Sequence, residues 1–134
     1  MISHHAALIY TMVLVSAADR DMSDTELRTI GQIVGSLPAF AEYDRNMLPT
    51  TTAACAELLD QEDGLDEAFE LIRAALPPRL RETAYALACE VAAAGGDIPQ
   101  EQLRLLQLLR HNLGMDRLVT AAIERGVRAR HTTL

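Results

Sequence analysis

Apolar and polar positions in this chain recur mostly at three- and four-residue intervals, the period of a helix. In LRETAYALACEVAAA (residues 80–94), Leu80, Ala84, Leu87, Ala88 and Val91 fall on one face. The stretch EQLRLLQLLRHNL is apolar at 103, 105, 106, 108 and 109, a stripe wide enough to predict a largely buried helix. Between residues 48 and 76, LPTTTAACAELLD and GLDEAFELIRAAL read as two further helices, with Gly64 marking the break. Pro49 lies near a helix start, and Pro77-Pro78 end one helix and open the next. A final helix, MDRLVTAAIERGVRAR, follows a C-capping Gly114. No strand-like alternation occurs. The pattern predicts an all-α, compact bundle of about six to seven helices in a single domain, residues 1–134.

Residues 6 to 18, AALIYTMVLVSAA, have the length of a leader-peptide core and end in small residues. No Arg or Lys precedes them, and they are too short to span a bilayer. The chain set against itself gives a further reason to read them as an internal helix. At an offset of 76 residues, VSAADRDMSDTELRTIGQIVGSL (15–37) lies over VAAAGGDIPQEQLRLLQLLRHNL (91–113) without a gap. Val15/Val91, Ala17/Ala93, Ala18/Ala94, Asp21/Asp97, Leu27/Leu103, Arg28/Arg104 and Leu37/Leu113 are identical. The expected architecture is therefore two pseudo-repeated helix-turn-helix units. Residues 6 to 18 then correspond to a core helix near 82 to 94.

Composition narrows the function. All twelve basic residues are Arg, which removes Schiff-base lysines, Ser-Lys dyads and the phosphate-loop lysine. The net charge of -7 argues against a nucleic-acid partner. Cys55 and Cys89 have neither C-x-x-C spacing nor a neighbouring His, and read as buried free thiols in a reducing compartment. The basic end RGVRARH, with Arg125, Arg128, Arg130 and His131, reads as a solvated helix terminus, for which basic residues are favourable.

The chemistry concentrates in SAADRDMSDTEL (16–27). Ser23-x-x-Glu26 matches a capping box, and Asp24 suits the positive end of the helix dipole. Asp19 and Asp21 precede the cap, where capping does not require both. Alternating carboxylates on a tight turn are how a calcium loop opens, although the Gly and the late Glu of an EF-hand are absent. In the second copy Gly95-Gly96-Asp97 stands in this place, and Gln102 replaces Glu26.

A helix ending in Ala, an acidic turn and a Leu-rich second helix together resemble the tellurite-resistance TerB-like family. SAADRDMSDTELRTIGQI and LRETAYALACEVAAAGGDIPQEQLRLLQLLRHNLGMD carry the likeness, which covers nearly the whole chain. The resemblance implies an all-helical fold and a cytoplasmic protein docked at the inner face of the membrane. It implies a role in the response to tellurite or other oxyanion stress, with tellurite-resistance membrane or stress proteins as partners. The family's turn acids correspond to Asp19, Asp21, Glu26 and Asp97, the candidate metal ligands. A divalent cation, calcium or magnesium in preference to zinc, is the candidate cofactor. Arg20 departs from the family's Gly and supplies a counter-charge beside the turn.

The leading expectation is a non-enzymatic binding or scaffold domain, because no nucleophile–base pair is legible. The alternative is a metal-dependent hydrolase using carboxylates of the two turns, Asp19, Asp21 and Asp97, with Glu90 on the helix leading into the second. That alternative requires the two turns to converge in space.

Overall fold

The computed structural model describes residues 1–18 and 22–134. They form seven α-helices and no strand: α1 (His4–Ala17), α2 (Asp24–Ser36), α3 (Leu48–Leu59), α4 (Gly64–Ala75), α5 (Pro78–Ala94), α6 (Gln100–Asn112) and α7 (Arg117–His131). The all-α bundle expected from the apolar spacing is what the chain adopts.

Helix α1 begins where Ser3 accepts a hydrogen bond from the Ala6 amide at 3.0 Å. Every residue from Ala7 to Ser16 is buried, so this helix has no solvent face and must be enclosed by others. Helices α2, α3, α4, α5 and α6 all pack on it, α5 most extensively. The Thr11 hydroxyl, inside this core, donates to the Ala7 carbonyl at 2.8 Å and so needs no partner outside its own helix. Facing α1, α5 buries Ala84, Leu87, Ala88, Val91 and Ala92. Its small alanines let two helix backbones approach closely.

Boundaries fall where local chemistry sets them. Pro49 and Pro78 occupy first-turn positions of α3 and α5, where a missing N–H leaves no bond unmade. Gly114, at φ +63°, ends α6 in the left-handed conformation. Arg81 donates to the Leu113 carbonyl at 3.4 Å and Asn112 to the Phe69 carbonyl at 3.1 Å, tying this end of α6 to its neighbours.

Two features depart from the sequence reading. Helix α6 is not largely buried: Leu105, Leu106 and Leu109 are, but Leu103 is 42% exposed and Leu108 half-buried. One flank of α6 meets α1 and α5, while the other opens on a cleft, so part of its wide apolar stripe has nothing packed against it. The connection between α2 and α3 also contains two short 3₁₀ turns, Pro38–Phe40 and Arg45–Met47, that helical periodicity does not reveal. This connection carries Phe40, and Tyr43 between the two turns, against His5, with ring centroids 5.8 and 5.3 Å away. His5 Nε2 is 3.1 Å from the Ala39 carbonyl.

Burial, and then the neighbouring His4, lower the pKa of His5 below its ordinary 6.5. The unfolded chain therefore takes up this proton first as the pH falls. The contribution to stability is present above pH 6.5 and is lost as the pH drops through that value towards the folded pKa. Replacing His5 by Gln should flatten the loss of stability as the pH falls below 6.5, read by urea unfolding at each pH. A second expectation concerns Gly64, where an added Cβ would lie 1.9 Å from the Leu58 carbonyl oxygen. Gly64→Ala must push the α3–α4 turn open and should cost about 3 kcal/mol. Gly31→Ala, with nothing within 4 Å of the new atom, should instead stabilise the protein by about 0.5–1 kcal/mol. Equal effects at the two sites would contradict the close approach at Gly64.

Candidate functional site

Among the candidate ligands of the first turn, Asp19 and Asp21 lie outside the described residues, as does Arg20. Glu26 is described fully. It is the third residue of α2, and the expected capping box is present. The Ser23 hydroxyl accepts from the Glu26 amide at 3.1 Å, and the Ser23 amide donates back to Glu26 Oε1 at 3.1 Å. Ser23 Oγ also donates to Oε1 at 3.2 Å.

Helix initiation alone would leave this carboxylate at the surface, yet Glu26 is only 5% exposed. Its second oxygen points inward, where Gln102 Nε2 of α6 donates to Oε2 at 2.7 Å. The same Gln102 nitrogen donates to the Val15 carbonyl, 3.1 Å away near the end of α1. One amide thus ties together α1, α2 and α6, and Gln102 is 1% exposed. A buried carboxylate is costly unless hydrogen-bonded, and here both oxygens have protein donors. Gln102 and Glu26 are also the residues that the 76-residue offset places opposite one another. Sequence reasoning identified Gln102 only as a replacement for Glu26. The signal for its role was a polar side chain one helical turn ahead of the buried pair Leu105 and Leu106. The Ser16 hydroxyl, buried in α1 three residues before Asp19, has no hydrogen-bond partner among the described residues.

Asp97 is placed differently. It is exposed, on the connection between α5 and α6, next to Gly96 at φ +95°. There it lines a cleft that Glu26 does not line. Among the described residues no group of three or more His, Cys, Asp or Glu side chains is arranged to hold a metal ion.

The cleft has a volume of about 1140 Å³. Helix α5 forms its floor through Tyr85 and Cys89, with α6 on one side and α7 on the other. Leu103, Leu106 and Val127 supply apolar wall, and Gln107, Arg110, Glu124 and Arg128 supply polar groups. The Tyr85 hydroxyl donates to Glu124 Oε2 at 2.5 Å. Burial, with this hydrogen bond next, pushes the Tyr85 phenol far above its ordinary value. Burial, followed by the Glu124 charge, pushes the Cys89 thiol up to about 12. At neutral pH the floor thus presents a neutral phenol and a neutral thiol. A thiol with so high a pKa is a poor nucleophile, since the thiolate is the reactive form. Cys55, beneath α1, is likewise held at about 12 by burial. Both cysteines are free and buried, as the sequence pattern suggested.

Glu90, the candidate fourth carboxylate of the hydrolase alternative, is 14% exposed at its side chain and holds the end of α7. Its Oε1 accepts from Arg130, and its Oε2 lies 2.9 Å from His131 Nε2. Two members of the basic terminal strip are therefore paired to α5, and the strip is exposed as its composition suggested. Among the described residues, no helix is long and apolar enough to cross a membrane.

No family model matches the chain, and no curated protein or solved structure matches it either.

The Glu26–Gln102 contact carries a stability expectation. Gln102→Leu strips the donor from a buried carboxylate oxygen and should lower stability by about 2–3 kcal/mol. The double variant Glu26→Leu/Gln102→Leu should lose less than the sum of the two single changes, because no stranded charge remains. Chemical denaturation of the four proteins measures this, and additive losses would mean that the two side chains are energetically independent.

Proposed function

We propose that this protein is a non-enzymatic helical binding or scaffold domain of the TerB-like kind. Its partners are proteins of the tellurite or oxyanion stress response, including membrane components met at the inner face of the membrane. The family part of this reading rests on the sequence likeness of the two acidic-turn segments. The binding part rests on the cleft between α6 and α7, which is roomy, open and lined by apolar and charged side chains together. Its floor groups are held in protonated forms, which favours recognition over nucleophilic chemistry.

In this reading the first turn is a separate feature, a candidate calcium or magnesium site built on Asp19 and Asp21. Glu26 orders the start of α2 through its capping box, and any role for it as a ligand would have to displace the Gln102 or Ser23 donors. Asp97 sits on the connection that edges the cleft.

Site-specific photocross-linking in native cells tests the binding role. Probes at Gln107 and Arg128, on the cleft, should yield protein adducts, whereas a probe at exposed Glu57 on α3 should not. Adducts from Glu57 alone would move the binding face away from the cleft. Calorimetric titration of the metal-stripped protein tests the cation separately. Saturable binding of calcium or magnesium, abolished in Asp19→Asn/Asp21→Asn, is the expected outcome, and absence of binding would leave the turn as a helix connection.

A further inference from the structure

Among the described residues, α7 is the one α-helix that does not pack substantially on α1. Among the described residues its extensive contact is with α5 alone. It is joined to α6 through a short connection in which Gly114, at φ +63°, has open space around it. Its contact with α5 runs along the helix, but few apolar side chains serve it: Val127 is buried, Val119 and Ile123 are partly so, and Leu118 is 81% exposed. Docking on a single neighbour with few buried apolar side chains puts a helix at the low-stability end of a fold, able to open without the core opening. What holds it down is chiefly polar. Glu124 receives the Tyr85 hydroxyl in mid-helix, and Glu90 grips Arg130 and His131 at its last turn. Arg130 is 71% exposed at its side chain, so that tie is readily given up to water. On the side facing α6 there is the open volume of the cleft instead of a packed wall.

We propose that α7 is a hinged cover, turning on Leu113–Asp116, that Glu90 and Glu124 latch over Tyr85 and Cys89 on α5. Lifting it exposes Tyr85 and Cys89, which border the cleft yet are only 1% and 5% exposed, while α1 to α6 stay packed. The inference rests on the packing of α7 and stands whether or not the cleft is the partner-binding face.

The two cysteines provide the readout. Cys89 lies under α7 at 5% exposure, and Cys55 lies in the core at 0%. Both thiols are pushed up to about 12, so the closed state suppresses both alike. Reaction of the full chain with N-ethylmaleimide, followed by peptide mass spectrometry, gives each rate. Cys89 should be modified at least about ten-fold faster than Cys55, because opening α7 is less demanding than global unfolding.

The informative variant is Arg130→Gln/His131→Gln, which cuts the latch at exposed positions. It leaves the Glu90 charge unneutralised beside Cys89, and that charge raises the thiol pKa, so without opening the variant would react more slowly. A hinged α7 instead predicts a Cys89 rate raised about three- to five-fold with the Cys55 rate unchanged. Amide hydrogen exchange should show α7 losing protection in the variant while α5 keeps it. Equal wild-type rates at the two cysteines, or α7 amides as well protected as those of α5 in both proteins, would overturn the proposal.

Discussion

A helix without a polar side cannot stand at a surface, and α1 is such a helix from Ala7 to Ser16. Each fully buried Leu, Ile, Val or Met contributes on the order of 1.5–3 kcal/mol. Leu8, Ile9, Met12, Val13 and Val15 are all completely enclosed. Five other helices are arranged so that this enclosure is possible. The consequences reach the chemistry of the chain. Polar groups of α1 are met from within, as Thr11 is by its own helix, or by a neighbour's side chain, as the Val15 carbonyl is by Gln102, while the buried Ser16 hydroxyl has no partner among the described residues.

The fold was legible because its determinants are local. Proline at the starts of α3 and α5, glycine at the α3–α4 turn and after α6, and the Ser23–Glu26 box each act within a few residues of themselves. What the sequence left hidden depends on residues distant in the chain. Nothing in a helical repeat says that Gln102 reaches Glu26, or that Glu90 meets His131, since these pairs are set by how helices dock. The same limit explains α6. Its apolar stripe counts Leu103 as core, but burial depends on what lies opposite, and opposite Leu103 lies a cleft. Periodicity reports the face a helix offers without reporting whether anything accepts it.

The candidate site divides along the same line. The capping function of Glu26 could be read from four residues, whereas its burial could not. The cysteines were read as buried thiols from their lack of company, and their burial also raises their pKa and suppresses their reactivity. The floor of the cleft was invisible in sequence because Tyr85 and Cys89 look like any other residues on an alanine-rich helix. Their distinction comes from α7, which covers them with charged side chains.

The contact between Glu26 and Gln102 also constrains how alike two segments of this chain can be. These two positions occupy the same place in the aligned stretches 15–37 and 91–113, and their side chains touch. Two glutamates there would set one carboxylate against another in a buried space, so that one of them would have to take up a proton. Two glutamines would lose the charge-assisted bond that ties α2 to α6. The pair works because one member only accepts and the other donates. At the point where the aligned segments meet, complementarity rather than identity is what the interior demands, and a perfect copy would be the less stable sequence.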